Sequence, residues 1–304
     1  MTPTTTPRTA LVTGGNRGLG LASATRLARQ GFHVVLGVRT LDAGDRAAAT
    51  IRAAVPDATV DVMRLDLSSL ASVRAFAERW HARGLPLHLL LANAGILGHP
   101  TLARSVDGHE LHFATNHLGH FLLVDLLRDV LQASAPARVV VVSSVVHIEG
   151  QGPGKGPAWS WDHADGFDPT PPYDPYLAYK NSKLANLWFT YALSRRLQGT
   201  GVTVNALCPG FVPATGVEQQ QGLQRFLFRW VFPWMPFARS IEQAATHIAW
   251  VCTAPELDGV SGRFYADRKE RASSDQARDE ALQERLWALS ERLVAAPAAS
   301  AAAG

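Results

Sequence analysis

The sequence predicts a three-layer α/β/α fold of Rossmann type, with a single doubly wound parallel sheet. Three observations carry this prediction. Short Val/Leu-rich runs alternate with helical spacings along most of the chain. The first run feeds a glycine-rich turn that opens a helix. Strands that are apolar throughout, rather than alternating, belong to parallel sheets covered on both faces.

The elements follow in order. Thr9–Val12 is a strand, Leu19–Gln30 a helix and Phe32–Val38 a second strand. Strand, glycines, helix and strand within about 30 residues form a βαβ unit. Asp45–Val55 is Ala-rich and helical, and Val60–Leu65 is a strand. Ser68–Arg83 has helical spacing, with Leu70, Val73, Phe76, Ala77 and Trp80 on one face. Leu87–Leu91 is a strand ending at Asn93-Ala-Gly95, and His109–Gln132 is a long helical region. Arg138–Val142 is a strand, Ala178–Leu197 a helix and Val202–Leu207 a sixth strand. Two stretches interrupt this rhythm. Gly150–Pro175 is rich in Gly, Pro, Asp and Trp and reads as a long loop. Phe211–Arg239 carries Phe226, Phe228, Trp230, Phe232, Trp234 and Phe237 and reads as an apolar lid over a ligand. Residues 1–7 and 295–304 read as poorly ordered ends. With no fixed-period repeat and no linker, residues 1–304 are expected to form a single domain.

Composition narrows the function. Of 304 residues, 47% are hydrophobic and 18% charged, which excludes a disordered chain or a coiled coil. Lys plus Arg number 29 against 26 Asp plus Glu, with no basic run, so nucleic acid is not an expected partner. Two cysteines, Cys208 and Cys252, make no disulfide scaffold. No Cys/His cluster has zinc spacing, so no metal is expected. The polar N-terminus lacks a signal h-region, and no apolar run approaches the roughly 18 residues of a membrane span. The expectation is a cytoplasmic protein with no integral span.

Thr13-Gly-Gly-Asn-Arg-Gly-Leu-Gly20 lies between strand and helix. Gly14, Gly18 and Gly20 let the backbone turn tightly around a pyrophosphate, with Asn16, Arg17 and Leu19 between them. The helix that follows offers free N–H groups and a favourable dipole. An NAD site places an acid at the end of the second strand, about 20 residues on. Here that strand ends Leu36-Gly-Val-Arg-Thr40. Arg39 and Arg17 instead suit a ribose 2′-phosphate, so NADP(H) is the predicted cofactor. The alternative is that both are solvated surface arginines. Asp42 and Asp45 are expected to fall past the ribose.

The spacing T-G-x-x-x-G-x-G resembles the short-chain dehydrogenase/reductase family, and later motifs match that family in order. Tyr179-Lys-Asn-Ser-Lys183 is Y-x-x-x-K, which puts a phenol and an ammonium on one helix face. An adjacent ammonium favours the phenolate and lowers its pKa, and such a Tyr can donate a proton to a carbonyl oxygen. Tyr176 and Lys180 have the same spacing. The flanking Ser182-Lys-Leu-Ala-Asn186 is similar to the family's segment and selects Tyr179 and Lys183.

The resemblance implies further roles. Ser144, second of the pair Ser143-Ser144, would bind the carbonyl oxygen. Asn116 would hold a water against Lys183; a mid-helix Asn is otherwise unfavourable. Asp66 and Leu67 would lie beside the adenine, although Asp66 or Ser68 could equally cap a helix. Asn93, Ala94 and Gly95 would line the cofactor. Pro209, Gly210, Val212 and Thr215 would touch the nicotinamide carboxamide and the pyrophosphate. His117 and His120 read as packing or surface residues, not metal ligands.

The segments Tyr179–Lys183 and Pro209–Gly216 are similar to the retinol-dehydrogenase and protochlorophyllide-reductase-like branch. Phe211 stands where the latter has a Cys, which argues against light-driven ring reduction. The resemblance also takes in Ser261–Lys269 and Arg285–Trp287. It implies an NADP(H)-dependent carbonyl reductase or alcohol dehydrogenase acting on a small hydrophobic ketone, aldehyde or alcohol. Alternatives are a reductase of an activated C=C bond and a non-catalytic NADP-binding sensor. For the aromatic 211–239 segment, a homo-oligomer interface or a membrane contact through Arg225 and Arg229 stands beside the lid.

Overall fold

The computed structural model describes residues 8–97, 101–152, 154–166, 172–216, 226–235 and 237–295. Its strands are β1 (Thr9–Thr13), β2 (His33–Val38), β3 (Val60–Arg64), β4 (Leu89–Ala92), β5 (Ala137–Val142), β6 (Val202–Cys208), β7 (Phe264–Ala266) and β8 (Lys269–Glu270). They form one sheet in the order β3-β2-β1-β4-β5-β6-β7-β8. Every pairing is parallel except β7 with β8. The order reverses at β1/β4, and ligands of open α/β sheets bind in the crevice beyond the strand carboxyl ends at such a switch point.

The helices are α1 (Gly18–Arg29), α2 (Leu41–Ala54), α3 (Leu70–Arg83), α4 (Leu111–Phe113), α5 (Gly119–Leu126), α6 (Arg128–Ala133), α7 (Pro175–Arg196), α8 (Pro213–Gly216), α9 (Ile241–Thr253), α10 (Asp275–Arg278) and α11 (Glu280–Ala295). One core joins the sheet to α3, α5, α7 and α11 through Phe76, Trp80, Phe121, Trp188 and Trp287. The other joins it to α1, α2 and α9 through Leu27, Ile51, Ile248 and Val251. β1 is buried at all five residues, as a central strand covered on both faces must be.

The first six strands lie where the sequence placed them, to within a residue or two. Other features differ. The long helix expected over His109–Gln132 is broken: Ala114–Leu118 is a π-helical turn between α4 and α5, and α6 is a separate piece. A π turn inserts one residue into the helical period and is frequent at functional sites. α7 starts at Pro175, inside the stretch read as loop. Asp174 accepts from Tyr176 N at 2.9 Å and Leu177 N at 3.1 Å, and proline at the first helical position loses no hydrogen bond there. β7, β8, α9 and α11 were not read from the sequence. Ala295, assigned to the loose tail, closes α11. The two ends, 1–7 and 296–304, lie outside the described residues, as do 217–225 and 236 of the 211–239 segment.

Candidate active site

At the carboxyl ends of the strands a cleft of about 1500 Å³ opens. The glycine loop forms its inner edge. Gly14 has φ of +65°, and its N–H donates to Gly37 O at 2.8 Å. A Cβ on Gly20 would lie 2.2 Å from Gly14 O and 2.7 Å from Asn93 Nδ2. So α1 reaches its own loop and the β4 turn only because no side chain intervenes.

Thr13, fully buried, ties this loop to the next turn. Its Oγ1 accepts from Asn93 N and Ala94 N, each at 2.9 Å. The same hydroxyl lies 2.9 Å from His120 Nε2, while His120 Nδ1 lies 3.1 Å from Asn116 O. A carbonyl only accepts, so Nδ1 carries the imidazole proton and Thr13 donates to Nε2. Burial holds His120 neutral, pushing its pKa down to about 4. Burial likewise takes His117 to about 3, with its Nε2 on Ser290 Oγ at 2.9 Å. Both histidines are packing residues inside the core, not on the surface.

At the far end, Gly18, Leu19, Asn16 and Arg17 face Arg39, Thr40, Asp66 and Leu67 across the cleft. Arg17 and Arg39 are exposed. Neither Asp66 nor Ser68 caps α3. Asp66 Oδ1 takes Ser68 N at 3.0 Å and Ser68 Oγ at 2.6 Å, and the cap is Ser69, which accepts from Ser72 N at 3.3 Å. Cationic side chains such as Arg17, Arg39, Lys183, Arg239 and Arg271 outnumber the carboxylates Asp66 and Asp267 along the lining. That balance favours a polyanionic ligand.

In the middle, α7 presents Tyr179 and Lys183 beside the end of β5. The Tyr179 phenol and the Ser144 hydroxyl both line the cleft here, close enough for the Ser144 side chain to act on the phenol's ionisation. Lys183 Nζ stands 5.5 Å from the Tyr179 ring centre and donates to Val142 O at 2.9 Å. Ser143 points the other way. Its hydroxyl donates to Lys183 O at 2.8 Å, fixing helix to strand. The electrostatics depart from the sequence reading. Burial is the dominant cause at both groups. It pushes the Tyr179 phenol up, the Ser144 hydroxyl opposing, and Lys183 down to about 8. At the phenol desolvation, and not the neighbouring ammonium, sets the direction of the shift. Tyr179 therefore rests as the protonated phenol.

Asn116 lies behind this lining, in the π turn. Its Oδ1 accepts from Ile96 N at 2.8 Å, and its Nδ2 donates to Ile96 O at 3.1 Å and Ser182 Oγ at 2.9 Å. A Cβ on Gly95 would lie 3.2 Å from Asn116 Oδ1 and 3.7 Å from Lys183 Nζ. Asn93, Ala94 and Gly95 thus form a turn squeezed between the glycine loop and the lysine.

Beyond β6, Pro209, Gly210, Val212 and Thr215 line the cleft. Thr215 Oγ1 donates to Val212 O at 2.8 Å, and its methyl carbon lies 3.4 Å from where a Cβ on Gly18 would sit. This segment closes over the glycine loop. Cys208, 3% exposed, also lines the cleft near Tyr179 and Lys183. Leu227, Phe232, Met235 and Phe237 add an apolar wall, while Trp230 and Trp234 of the same segment are exposed. Arg239, Arg271 and Gln151 also line the cleft and were not singled out from the sequence; no spacing marks them. Among the described residues, no group of His, Cys, Asp or Glu could hold a metal, and no helix is long and apolar enough to cross a membrane.

The short chain dehydrogenase family model matches residues 8–154. Retinol dehydrogenase 12 of Mus musculus is 39% identical over 287 residues, covering 94% of this chain and 86% of that protein. The crystal structure of an uncharacterised protein from Mycobacterium paratuberculosis superposes with a TM-score of 0.70 at 32% identity, over 96% of this chain and 95% of that one. The NADP complex of RhlG from Pseudomonas aeruginosa superposes with a TM-score of 0.64 at 26% identity, over 84% and 93%.

Proposed function

Because the chain belongs to the short-chain dehydrogenase/reductase family, in its retinol-dehydrogenase-like branch, we propose that it is an NADP(H)-dependent carbonyl reductase or alcohol dehydrogenase. The substrate is a small hydrophobic ketone or aldehyde, or the matching alcohol. The observation that carries the reading is the placing of Ser144, Tyr179 and Lys183 together at the middle of a long cationic cleft, with Lys183 Nζ 5.5 Å from the Tyr179 ring centre.

The cleft fits the cofactor. Gly14 and Gly18 have positive φ, and the close approach at Gly20 leaves the loop backbone bare for a pyrophosphate. The volume of about 1500 Å³ exceeds the roughly 300–1,000 Å³ of one small-molecule site, which leaves room for a substrate beside it. Asn16, Leu19, Leu67 and the Asn93–Gly95 turn would hold the adenosine half. Pro209, Gly210, Val212 and Thr215 would hold the nicotinamide half. Arg17 and Arg39 would read a 2′-phosphate, and the NADP complex of the similar RhlG supports that choice over NAD. Bound there, the cofactor would supply or accept the hydride.

The chain's own groups do the rest. Ser144 donates a hydrogen bond to the carbonyl oxygen and polarises it. Tyr179, kept protonated by burial, gives that oxygen its proton; in the alcohol-oxidising direction it takes the proton back. Lys183 holds the ribose hydroxyls and offsets the charge that develops on the phenol. Asn116 braces the Gly95–Ile96 backbone and Ser182, and so supports Lys183 from behind. The apolar wall from Leu227 to Phe237 encloses the hydrophobic part of the substrate. Cys208 and Cys252 are free buried thiols, which suits a reducing compartment and a cytoplasmic enzyme.

Tyr179→Phe tests the reading. NADPH oxidation with a panel of hydrophobic ketones, aldehydes and quinones should vanish while NADPH still binds. Full activity in the variant would remove Tyr179 from the chemistry. Product analysis separates carbonyl from C=C reduction.

A further inference from the structure

α7 carries two interleaved tyrosine–lysine pairs, Tyr176/Lys180 and Tyr179/Lys183, and all four side chains line the cleft. The proposed chemistry uses only the second pair. Lys180 is nonetheless 1% exposed, and its Nζ donates to Lys155 O at 2.6 Å. The next residue, Asn181, is buried as well. Its Oδ1 accepts from Ala158 N at 3.0 Å, and its Nδ2 donates to Ala158 O at 3.1 Å and Gly166 O at 2.7 Å. Trp159 and Trp161 then pack on Trp188, further along the same helix, at ring separations of 5.4 and 5.8 Å. The segment from Lys155 to Gly166 is fastened along α7 in this way. Gln151 and Gly152, shortly before that segment, border the cleft beside Val146.

The Lys180 side chain is almost wholly covered, with one carbonyl accepting from its ammonium and Asp174 as the nearby opposite charge, an unfavourable way to fill space. An apolar side chain of similar length would avoid the desolvation. What the ammonium adds is a charge-assisted hydrogen bond with a fixed end point on the loop backbone. The bond starts one residue after the proton donor, on a rigid helix, so the loop's position is referenced to Tyr179.

We propose that Lys180 is a positioning residue: with Asn181 it latches residues 155–166 to the catalytic helix, and so holds the nearby Gln151 and Gly152 as a fixed edge of the substrate site. The inference rests on the oxidoreductase reading for the identity of the site, but the latch itself does not need turnover. Lys180 acts on substrate binding, through that edge, and not on proton transfer.

The test uses the full chain with Lys180→Met, Lys180→Arg and Asn181→Ala. Two readouts are taken: steady-state reduction of the best carbonyl in the panel, and amide hydrogen exchange over 151–166. Lys180→Met should raise the carbonyl KM about tenfold, the loss expected for one charge-assisted hydrogen bond. It should leave kcat within about twofold and NADPH affinity unchanged, a split that marks lost ground-state positioning. Exchange over 151–166 should quicken. Lys180→Arg should recover most of the KM, and Asn181→Ala should repeat the exchange result if Lys180→Met folds poorly. An unchanged KM, or kcat and melting temperature falling together, would overturn the proposal. If the wild-type protein reduces no carbonyl with NADPH, the oxidoreductase reading fails instead. Exchange then decides the latch alone: protection over 151–166 that is equal in wild type and variants would overturn it.

Discussion

The Ser144 hydroxyl and the Tyr179 phenol line the same part of the cleft, although one lies just past a strand and the other sits in the second turn of a helix more than thirty residues on. The two groups meet because Ser143 and Lys183 join the same two elements: the Ser143 hydroxyl bonds Lys183 O, and Lys183 Nζ bonds Val142 O. The donor pair is therefore set by the packed core and not by a loop.

From that relationship, Ser144→Ala should lower kcat for carbonyl reduction by about 10²–10³, the usual loss for one preorganised donor to a developing oxyanion. NADPH binding, followed by protein fluorescence, should change little. A variant with wild-type kcat would show that Ser144 only caps the Val145–His147 turn, where its Oγ accepts from Val146 N.

Arg39→Ala and Arg17→Ala should each weaken the preference for NADPH over NADH. A charge-assisted bond to phosphate contributes about 1.5–3 kcal/mol, so the ratio of kcat/KM values should fall roughly 10- to 100-fold. Rates with NADH should stay near the wild-type value. Parallel loss with both cofactors would mean that these arginines shape the loop and do not read the phosphate.

Acid should destabilise the fold through its buried histidines, His117 and His120 foremost. His117 and His120 titrate near 3 and 4 in the folded protein, below the ordinary value of 6.5. Between pH about 6.5 and 4 the unfolded chain binds protons that the folded one refuses, so stability falls as pH falls through that window. Unfolding at pH 5 should take up close to two protons at these sites, and the melting temperature should drop from pH 7 to 5. His117→Phe should make that drop shallower. An unaltered slope would exclude His117 as a source.

Much of the fold and the cleft is legible in the sequence, for identifiable reasons. Parallel strands such as Val34–Val38 and Val139–Val142 are apolar on both faces, so they stand out without any periodicity. β7 has three residues and β8 two, too few for any pattern. The π turn at Ala114–Leu118 is invisible there because one added residue leaves the apolar spacing of a long helix nearly intact. The cleft residues are legible where a motif spans a short stretch, as in Thr13–Gly20 or Tyr179–Lys183. Asn116 stands out too, but its partners Ile96 and Ser182 come from other elements and depend on packing. The sign of the Tyr179 shift is hidden for the same reason: spacing reveals the neighbouring ammonium, whereas desolvation is a property of the whole surroundings. The anchoring role of Lys180 carries no signal at all, since its partner is a backbone carbonyl 25 positions away.

That last detail bears on how the protein can be altered. Every bond from Lys180 and Asn181 ends on main chain, at residues 155, 158 and 166, so the latch recognises the path of the loop and is blind to its letters. Outside the glycines at positive φ (Gly152, Gly154 and Gly166), the two tryptophans packed on Trp188, and Asp165, which accepts from Glu110 N, the loop's side chains can change without disturbing its anchorage. The scaffold separates what is inherited from what can drift: one turn of helix keeps the chemistry, and a neighbouring stretch of interchangeable residues is free to retune which molecules reach it.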